Sequence, residues 1–527
     1  MKDRVSLTDF LMYHKETHPI SFHMPGHKGR GTLYGIYGFG DFIKNVVGND
    51  ITEIPGADAL QQPRERIKDI MEAYAGLYGV KHTEILVNGS SAGLMASILG
   101  SVSRGGKLLM GRNSHRSVYG ALRLGGIDPV YIMPEIDDET GLQLGLDPNK
   151  IEAALIKDPD IKAVLVTSPN YYGVLSDIER IASVVHLHGR ILIVDQAHGA
   201  HLKFFDYLRS EDGLPHRAAE NCGADIVVDS THKTLLSFTG SAILNICTER
   251  PDVSRISELL RMLQTTSPSY LLMGSLDINQ QILRMDGYNL IKNWDADIKY
   301  FYQEAAQIAG LGLIDRIDLD ETKVSITMSA LGLSGPKLAE ELEKRNIWVE
   351  LTHGDYVMLM TGLGNERGDY EDILAALRDL SVHYGGRIQG VKSESSASKT
   401  EPAAQNAAQK QAKNEAQAAN KNASQPVDKI AELRTPSSDS ALIERLEQRK
   451  IPDTYEEVPL YSAEGRVLYE SIIPYPPGTP IACPGEVLSK SVILYVRDQL
   501  VAQHVVLGVD EEGRVKVESD CVLFKEI

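Results

Sequence analysis

The 527-residue sequence predicts an α/β fold, a mostly parallel sheet covered by helices on both faces. Three observations predict it. Short, β-branched runs alternate with helical patterns between about residues 84 and 246. The runs are apolar at successive positions, as strands buried on both faces require. Polar residues gather directly after them, at the carboxyl ends of strands, where such sheets bind ligands.

Residues 1–30 read as an arm in which Leu7 to His18 forms one short helix. Ser21-Phe22-His23-Met24-Pro25-Gly26-His27-Lys28-Gly29 is too rich in Gly, Pro and His for a regular element and reads as a structural loop or subunit contact. No third ligand type lies at metal spacing, so no metal site is assigned. Pro63 opens a helix in which Ile67, Ile70, Met71, Tyr74, Leu77 and Tyr78 recur at helical spacing. Glu84 to Val87 is a strand, Asn88-Gly89-Ser90-Ser91-Ala92-Gly93 a turn, and Leu94 to about Val102 a helix. Strand, Gly-Ser turn and helix together suit a phosphate, whose partners would be backbone N–H groups and hydroxyls at the helix's positive end. An ordinary N-cap is the alternative for these serines.

Further strands are expected at Lys107–Met110, Pro129–Met133, Lys162–Thr167, Ile191–Val194, Asp225–Val228 and Ala242–Ile246, with helices at Pro148–Ile156 and Asp177–His186. Ser90, His115, Ser168, Asp195 and Ser230 all follow expected strands and so converge on one sheet edge. Ile256 to Tyr288 reads as mainly helical and closes a large domain, 31–288. A smaller α/β domain, 289–391, has helices at Ile298–Ala309 and Lys337–Arg345 and strands near Lys323–Met328, Trp348–Leu351 and Tyr356–Met360. From Ser393 to Pro426 the chain is Ala, Gln, Lys, Asn and Ser without a large apolar residue, so 392–427 is expected to be a flexible linker with some helical tendency. The last unit, 428–527, carries an expected helix at Ser438–Glu447 and a rigid turn, Tyr475-Pro476-Pro477-Gly478, ahead of Glu486.

Charge sums to 54 − 72 = −18, which argues against nucleic-acid or anionic-membrane partners. Cys222, Cys247, Cys483 and Cys521 show no metal spacing, and Cys247 and Cys521 in apolar runs read as reduced core thiols. No apolar run is long enough to span a bilayer and the N-terminus leads into no leader-like segment, so a cytoplasmic protein is expected.

Asp195 and Lys233 carry the chemistry. Each follows a strand-like run, and they stand 233 − 195 = 38 residues apart. A strand-end lysine and a strand-end acid are what pyridoxal 5'-phosphate needs. The amine forms a Schiff base with the cofactor aldehyde, and the carboxylate keeps the pyridine nitrogen protonated, so that the ring accepts the electrons of a broken Cα bond.

The ordered set of motifs is similar to that of the ornithine/lysine/arginine decarboxylase family, in its short form without an N-terminal wing domain. The motifs are His23-Met24-Pro25-Gly26-His27-Lys28, Asn88-Gly89-Ser90-Ser91, Arg112-Asn113-Ser114-His115-Arg116-Ser117, Ser168-Pro169-Asn170-Tyr171-Tyr172-Gly173, Asp195-Gln196-Ala197-His198, Ser230-Thr231-His232-Lys233 and Tyr475-Pro476-Pro477-Gly478. The resemblance implies the aspartate-aminotransferase fold (fold type I) followed by a C-terminal α+β domain. It implies Lys233 as the Schiff-base lysine, Asp195 as the partner of the ring nitrogen, and His115 and Ala197 on the two faces of the ring. Ser90, Ser91, Ala92, Ser230 and His232 would line the phosphate side and the neighbourhood of the lysine. Ser168 would lie beside the phenolic oxygen, and His198 near that oxygen and the substrate carboxylate, as a candidate proton donor. Gln196 stands where the family usually has Glu, and Arg116 where it often has Lys.

The expected reaction is α-decarboxylation of a basic L-amino acid, arginine ahead of lysine or ornithine, giving agmatine or a diamine for polyamine biosynthesis. Glu486 and Asp355 are the candidate carboxylates for the substrate's distal cation. In this fold the active site borrows residues from a second subunit, so at least a homodimer is expected. An aminotransferase or side-chain lyase on the same fold is the first alternative. An aminotransferase clamps the substrate carboxylate with a small-domain arginine, and Arg367, Arg378 and Arg387 lie in that region outside any motif. A catalytically silent scaffold or regulatory protein that kept the fold is the second alternative.

Overall fold

The computed structural model describes residues 6–397, 446–475, 479–501 and 505–519. In chain order the first eight strands are β1 (Ile20–Phe22), β2 (His82–Leu86), β3 (Lys107–Gly111), β4 (Asp128–Ile132), β5 (Ile161–Thr167), β6 (Ile191–Asp195), β7 (Ile226–Asp229) and β8 (Ala242–Ile246). Seven of them form one sheet in the order β2-β8-β7-β6-β5-β3-β4. From β7 to β4 every pairing is parallel, while β8 runs against both of its neighbours.

Both faces of this sheet are buried, and the side-chain alternation of the strands divides them. Leu108, Met110, Leu165, Ile193, Val228 and Leu244 pack under the helices Gly89–Ser101, Arg116–Gly125 and Val253–Leu263. Leu109, Val164, Val166, Leu192, Val194 and Val227 pack against Ile151 and Leu155 of Pro148–Lys157 and Ile178, Ile181 and Val185 of Ile178–Leu187. Each such side chain removed from water contributes about 1.5–3 kcal/mol. The helices start where their side chains cap them. The Asp147 carboxylate accepts from Asn149 N–H ahead of Pro148, and that of Asp177 accepts from Arg180 N–H.

Three expected boundaries move. The helix placed at Pro63 runs from Arg66 to Tyr78 and is capped from a distance, because the Asp58 carboxylate accepts the N–H groups of Arg64, Glu65 and Ile67. The helix placed at Leu94 begins at Gly89, so the expected Gly-Ser turn is its first turn. A β-carbon on Gly93 would lie 2.7 Å from Leu86 and 3.0 Å from Val228, so only glycine lets this helix seat so closely on the sheet. The stretch expected to be helical from Ile256 to Tyr288 is two helices, Val253–Leu263 and Tyr270–Ala305. The second bends at Asp286, whose φ of −146° is not helical, and continues through the segment expected as a separate helix from Ile298.

The next unit has an antiparallel sheet of β9 (Gly312–Leu313), β10 (Lys323–Thr327), β12 (Leu351–His353) and β13 (Tyr356–Met360), in the order β12-β13-β10-β9. Its remaining strand, β11 (Ile347–Val349), pairs in parallel with β1, so the arm is part of this unit's structure. The core around Tyr74, Trp294, Phe301, Val324, Leu359 and Tyr370 joins it to the large sheet's helices. Its last helix runs from Arg367 to Ala397, so the first positions of the expected linker are helical, and 398–427 lie outside the described residues.

In the C-terminal unit, β14 (Tyr455–Pro459) pairs with β17 (Arg514–Glu518) and β15 (Ile473–Tyr475) with β16 (Val505–Leu507), both antiparallel. With the helix Lys490–Val501 they enclose a core of Leu468, Ile472, Leu488, Val492 and Val517. Most of the helix expected at 438–447, together with Pro476, Pro477, Gly478 and Cys521, lies outside the described residues.

Candidate active site

β6 and β7 are adjacent and parallel, with Asp195 in register with Val228. Asp195 ends one strand. The other ends at Asp229 and turns through Ser230 into the short helix Thr231–Thr234, which carries Lys233. The sheet therefore presents both side chains at one edge. The turn is held from outside by the arm: Gly26 N–H donates to His232 O (2.8 Å), and a β-carbon on Gly26 would meet Leu235 O at 2.3 Å. Leu363 N–H donates to Thr234 O from the small unit (2.9 Å).

Three lysines are buried or half-buried around this edge, and two are already engaged. Lys28 Nζ donates to His23 O (2.6 Å) and Met360 O (2.9 Å). Lys323 Nζ donates to His198 O and to Asp320, both at 3.0 Å. Among the described residues, Lys233 Nζ has neither a hydrogen bond nor an ion pair. Burial lowers its amine to about 8, with Lys323 pushing the same way and Asp195 and Glu350 opposing. Asp195, 3 % exposed, is pushed up by burial, while Lys233 and the N–H of Ala197 (3.2 Å) stabilise its charged form.

The expected phosphate side fits an anion. Gly89 enters the helix Gly89–Ser101 with φ +71°, and Asn88 gives no side-chain cap, so the N–H groups of Ser90 and Ser91 are left for a ligand. Among the described residues, buried Ser230 Oγ has no partner, and neither has Nδ1 of His198. Two orphaned polar atoms at the edge that carries Lys233 are what a polar cofactor would satisfy. The residues present therefore fit pyridoxal phosphate.

The histidines are held neutral. His115 N-caps the helix Arg116–Gly125, its Nδ1 accepting from Ser117 N–H (3.3 Å). Burial lowers its pKa to about 3, helped by Lys233 and Arg116. His232 lies 2.7 Å from Ser241 O through Nδ1, and burial lowers it to about 4. His198 is pushed well below the usual imidazole range by burial, then by Lys233 and Lys323. Ser168 Oγ accepts Ser176 N–H (3.0 Å), and Ala197 is buried on the turn after Asp195. Gln196 turns elsewhere: its amide donates to Glu220 and Asp229, both at 3.0 Å, and accepts from Ala219 N–H.

Both expected substrate carboxylates need correction. Asp355 is exposed in the turn between β12 and β13. Glu486 is buried against Arg112, at 2.8 Å with both side chains 3 % exposed, and also accepts Cys483 N–H (2.7 Å). Arg112 further donates to Pro480 O (2.8 Å), so it clasps the C-terminal unit to the end of β3. Glu486→Ala strands a buried guanidinium at an expected cost of about 3–5 kcal/mol. Thermal unfolding of the holoenzyme should show this as a clearly lower midpoint; an unchanged midpoint would refute the clasp. The arginines considered as a carboxylate clamp face outward, Arg367 on Asp297 and Arg378 on Glu304, each at 2.6 Å. The side chain of Arg387 lies outside the described residues.

Sequence reasoning missed Glu350. Its Oε1 accepts the Tyr171 hydroxyl (3.1 Å) and its Oε2 accepts Met24 N–H (3.0 Å). The Tyr171 ring in turn stands edge-on to His198, centroids 4.9 Å apart. Tyr171 and Met24 lie in quoted motifs, but Glu350 lies in none. His201, Asp320 and Lys323 were also missed; they form a fully buried hydrogen-bonded cluster.

Residues 5–317 match the family model described as Orn/Lys/Arg decarboxylase, major domain, and residues 439–508 match the Orn/Lys/Arg decarboxylase, C-terminal domain. The chain is 30% identical over 488 residues to an arginine decarboxylase of Bacillus cereus, covering 90% of this chain and 95% of the relative. Against an arginine decarboxylase of Bacillus subtilis it is 30% identical over 513 residues, covering 95% and 94%. The solved constitutive lysine decarboxylase of E. coli superposes with a TM-score of 0.68 at 19% identity, covering 97% of this chain and 81% of that one.

Proposed function

Because the chain belongs to the Orn/Lys/Arg decarboxylase family, whose members are pyridoxal 5'-phosphate-dependent amino acid decarboxylases, we propose that it removes the α-carboxylate of L-arginine, ahead of lysine or ornithine. The product would be agmatine, feeding polyamine synthesis in the cytoplasm. The relatives named as arginine decarboxylases, about 30% identical over nearly the whole chain, support arginine. The observation that carries the reading is the unpartnered Lys233 amine beside the buried Asp195 carboxylate.

Bound pyridoxal phosphate supplies an aldehyde for an amine and a ring that withdraws charge from the substrate's Cα. The protein's residues do the rest. Lys233 offers an amine that is partly neutral near pH 8 and free of hydrogen bonds that would hold it back. Asp195 would accept the ring N–H and keep that nitrogen protonated. The first N–H groups of the helix Gly89–Ser101, with Ser230 Oγ, hold the phosphate. His115 and Ala197 confine the ring, and His198 and Ser168 offer neutral polar contacts. Lys28 and Lys323 each direct two donors into the protein, to His23 O and Met360 O and to His198 O and Asp320. Lys233 and His198 both stand where a proton would be returned to the substrate's Cα, and either would serve as the donor.

Incubating the purified protein and pyridoxal phosphate with arginine, lysine and ornithine separately, and reading the product by mass, tests this. Agmatine and CO2 without consumption of a keto acid is the expected result. Amine formation from none of the three would overturn it, and a keto-acid requirement would favour the aminotransferase reading.

A second copy of the chain is part of the proposal. The helix Leu7–Glu16 buries none of its residues, and Leu7, Phe10, Leu11, Met12 and Tyr13 stand exposed along it. No helix among the described residues is long and apolar enough to cross a membrane, so a protein surface is the better cover. The wild type should elute as a dimer or larger, and a Phe10→Glu, Leu11→Glu variant should shift towards monomer. A fully active monomeric wild type would contradict this.

A further inference from the structure

We propose that Lys323 is a positioning residue for the reaction: fixed by Asp320, its amine holds the turn that carries His198. This rests on the reading of the protein as a pyridoxal phosphate decarboxylase. It goes beyond it by assigning a part in the reaction to a side chain of the small unit that is 0 % exposed and so meets neither cofactor nor substrate.

Lys323 opens β10, and Asp320 stands three residues before it; the two pair at 3.0 Å. From this pair, contacts run to the carboxyl ends of three adjacent strands of the large sheet. After β5, Asp320 N–H donates to Gly173 O (2.8 Å). Gly173 has φ +93°, and a β-carbon there would lie 3.0 Å from Lys323 Cβ and 3.1 Å from its Cδ, so only glycine lets the lysine stem pass. After β6, Lys323 Nζ donates to His198 O (3.0 Å). After β7, the link runs through His201. Its Nε2 lies 3.0 Å from the Asp320 carboxylate, and its Nδ1 lies 3.2 Å from the hydroxyl of Thr234, the neighbour of Lys233.

An ion pair buried this deeply is a poor source of stability. Removing two charges from water costs about as much as their attraction returns, and apolar residues of similar volume commonly hold a fold as well. What an apolar side chain cannot supply is a donor directed at His198 O. The His198 ring is met from another side by Tyr171, edge-on at 4.9 Å. With its carbonyl fixed by Lys323 and its ring confined by Tyr171, the imidazole has one placement beside the reacting atoms.

The same position sets a charge next to the site. The groups that act on Lys233 or feel its charge are Asp195 of β6, Glu350 between β11 and β12, Lys323 of β10, His115 ahead of the helix Arg116–Gly125, and His198 and His232 on the strand-end turns. Burial lowers the Lys233 amine most. Asp195 and Glu350 raise it, and Lys323 lowers it further.

The test is the paired variant Lys323→Met, Asp320→Asn, which removes donor and charge together and strands no buried ion. It should unfold near the wild-type temperature and still bind pyridoxal phosphate. Its kcat should fall on the order of 10–100-fold, with KM changed much less. Cofactor capture by the cofactor-free protein, followed by stopped-flow absorbance against pH, should have its midpoint above the wild-type value of about 8, because a cation near Lys233 is gone. A lower unfolding temperature with wild-type kcat and an unmoved midpoint would mean that the pair only holds the fold, and overturns the proposal. Wild-type values throughout overturn it too. Should the paired variant not fold, Lys323→Gln keeps a polar end that falls one bond short of His198 O. It should lose about 10-fold in kcat, and an undiminished kcat would refute the assignment. A wild type that forms no amine from any basic amino acid fails the parent reading instead. The capture midpoint needs no turnover, and there an unmoved value in the variant still overturns the proposal.

Discussion

Lys233→Ala is expected to lower decarboxylation by a factor on the order of 1,000 or more and to remove the visible absorbance of the bound cofactor. The size follows from its position. Lys233 is the lysine at the sheet edge whose amine is spent on nothing else, whereas Lys28 and Lys323 each donate two hydrogen bonds. Neither can take over without breaking the arm or the buried His201–Asp320–Lys323 cluster. The pH dependence follows as well. With the amine lowered to about 8 by burial, the cofactor-free protein carries a protonated, non-nucleophilic Lys233 below that pH. The rate of cofactor capture should therefore rise as pH increases through 8 and level off above it. Stopped-flow absorbance on cofactor-free protein reads this directly, and a rate that is flat from pH 7 to about 10 would contradict the lowered amine.

Asp195→Asn is expected to cost on the order of 100–1,000-fold in kcat while leaving the cofactor bound. The neutral amide keeps the shape of the carboxylate but no longer holds a proton on the ring nitrogen, which weakens the ring's pull on charge at Cα. A second consequence needs no turnover. Asp195 raises the Lys233 amine against the effect of burial, so removing its charge should move the midpoint of cofactor capture below 8. A variant with wild-type kcat and an unmoved midpoint would separate Asp195 from the site.

Much of the large sheet was legible because its strands are apolar on both faces. Leu108, Leu109 and Met110 are buried in succession, a pattern that a half-solvated strand lacks. The ends of those strands then place Ser90, Ser168, Asp195, Ser230 and Lys233 on one edge without further information. The start of the helix at Gly89 was not legible, since Gly and Ser favour turns. Tertiary packing overrides that preference, with Gly93 seated against Leu86 and Val228. The long helix Tyr270–Ala305 was expected in two pieces, and its one non-helical residue, Asp286, lies just before the expected end at Tyr288.

Side-chain partners far apart in sequence were the hardest to see. Glu486 reads as an available acid until Arg112, 374 residues earlier, is found against it. Glu350 reads as an ordinary strand-end residue until Met24, 326 residues away, and Tyr171, 179 residues away, are brought to its two oxygens. No local pattern encodes either pairing. Both arise only when the arm, the C-terminal unit and the small sheet close on the large one.

The account depends most on which amine carries the cofactor. Reducing the holoenzyme with borohydride, digesting it and locating the pyridoxyl group by mass spectrometry decides this. The group should be found on Lys233 and nowhere else. Recovery on Lys28 or Lys323, or a protein that takes up pyridoxal phosphate with no lysine modified, would contradict it.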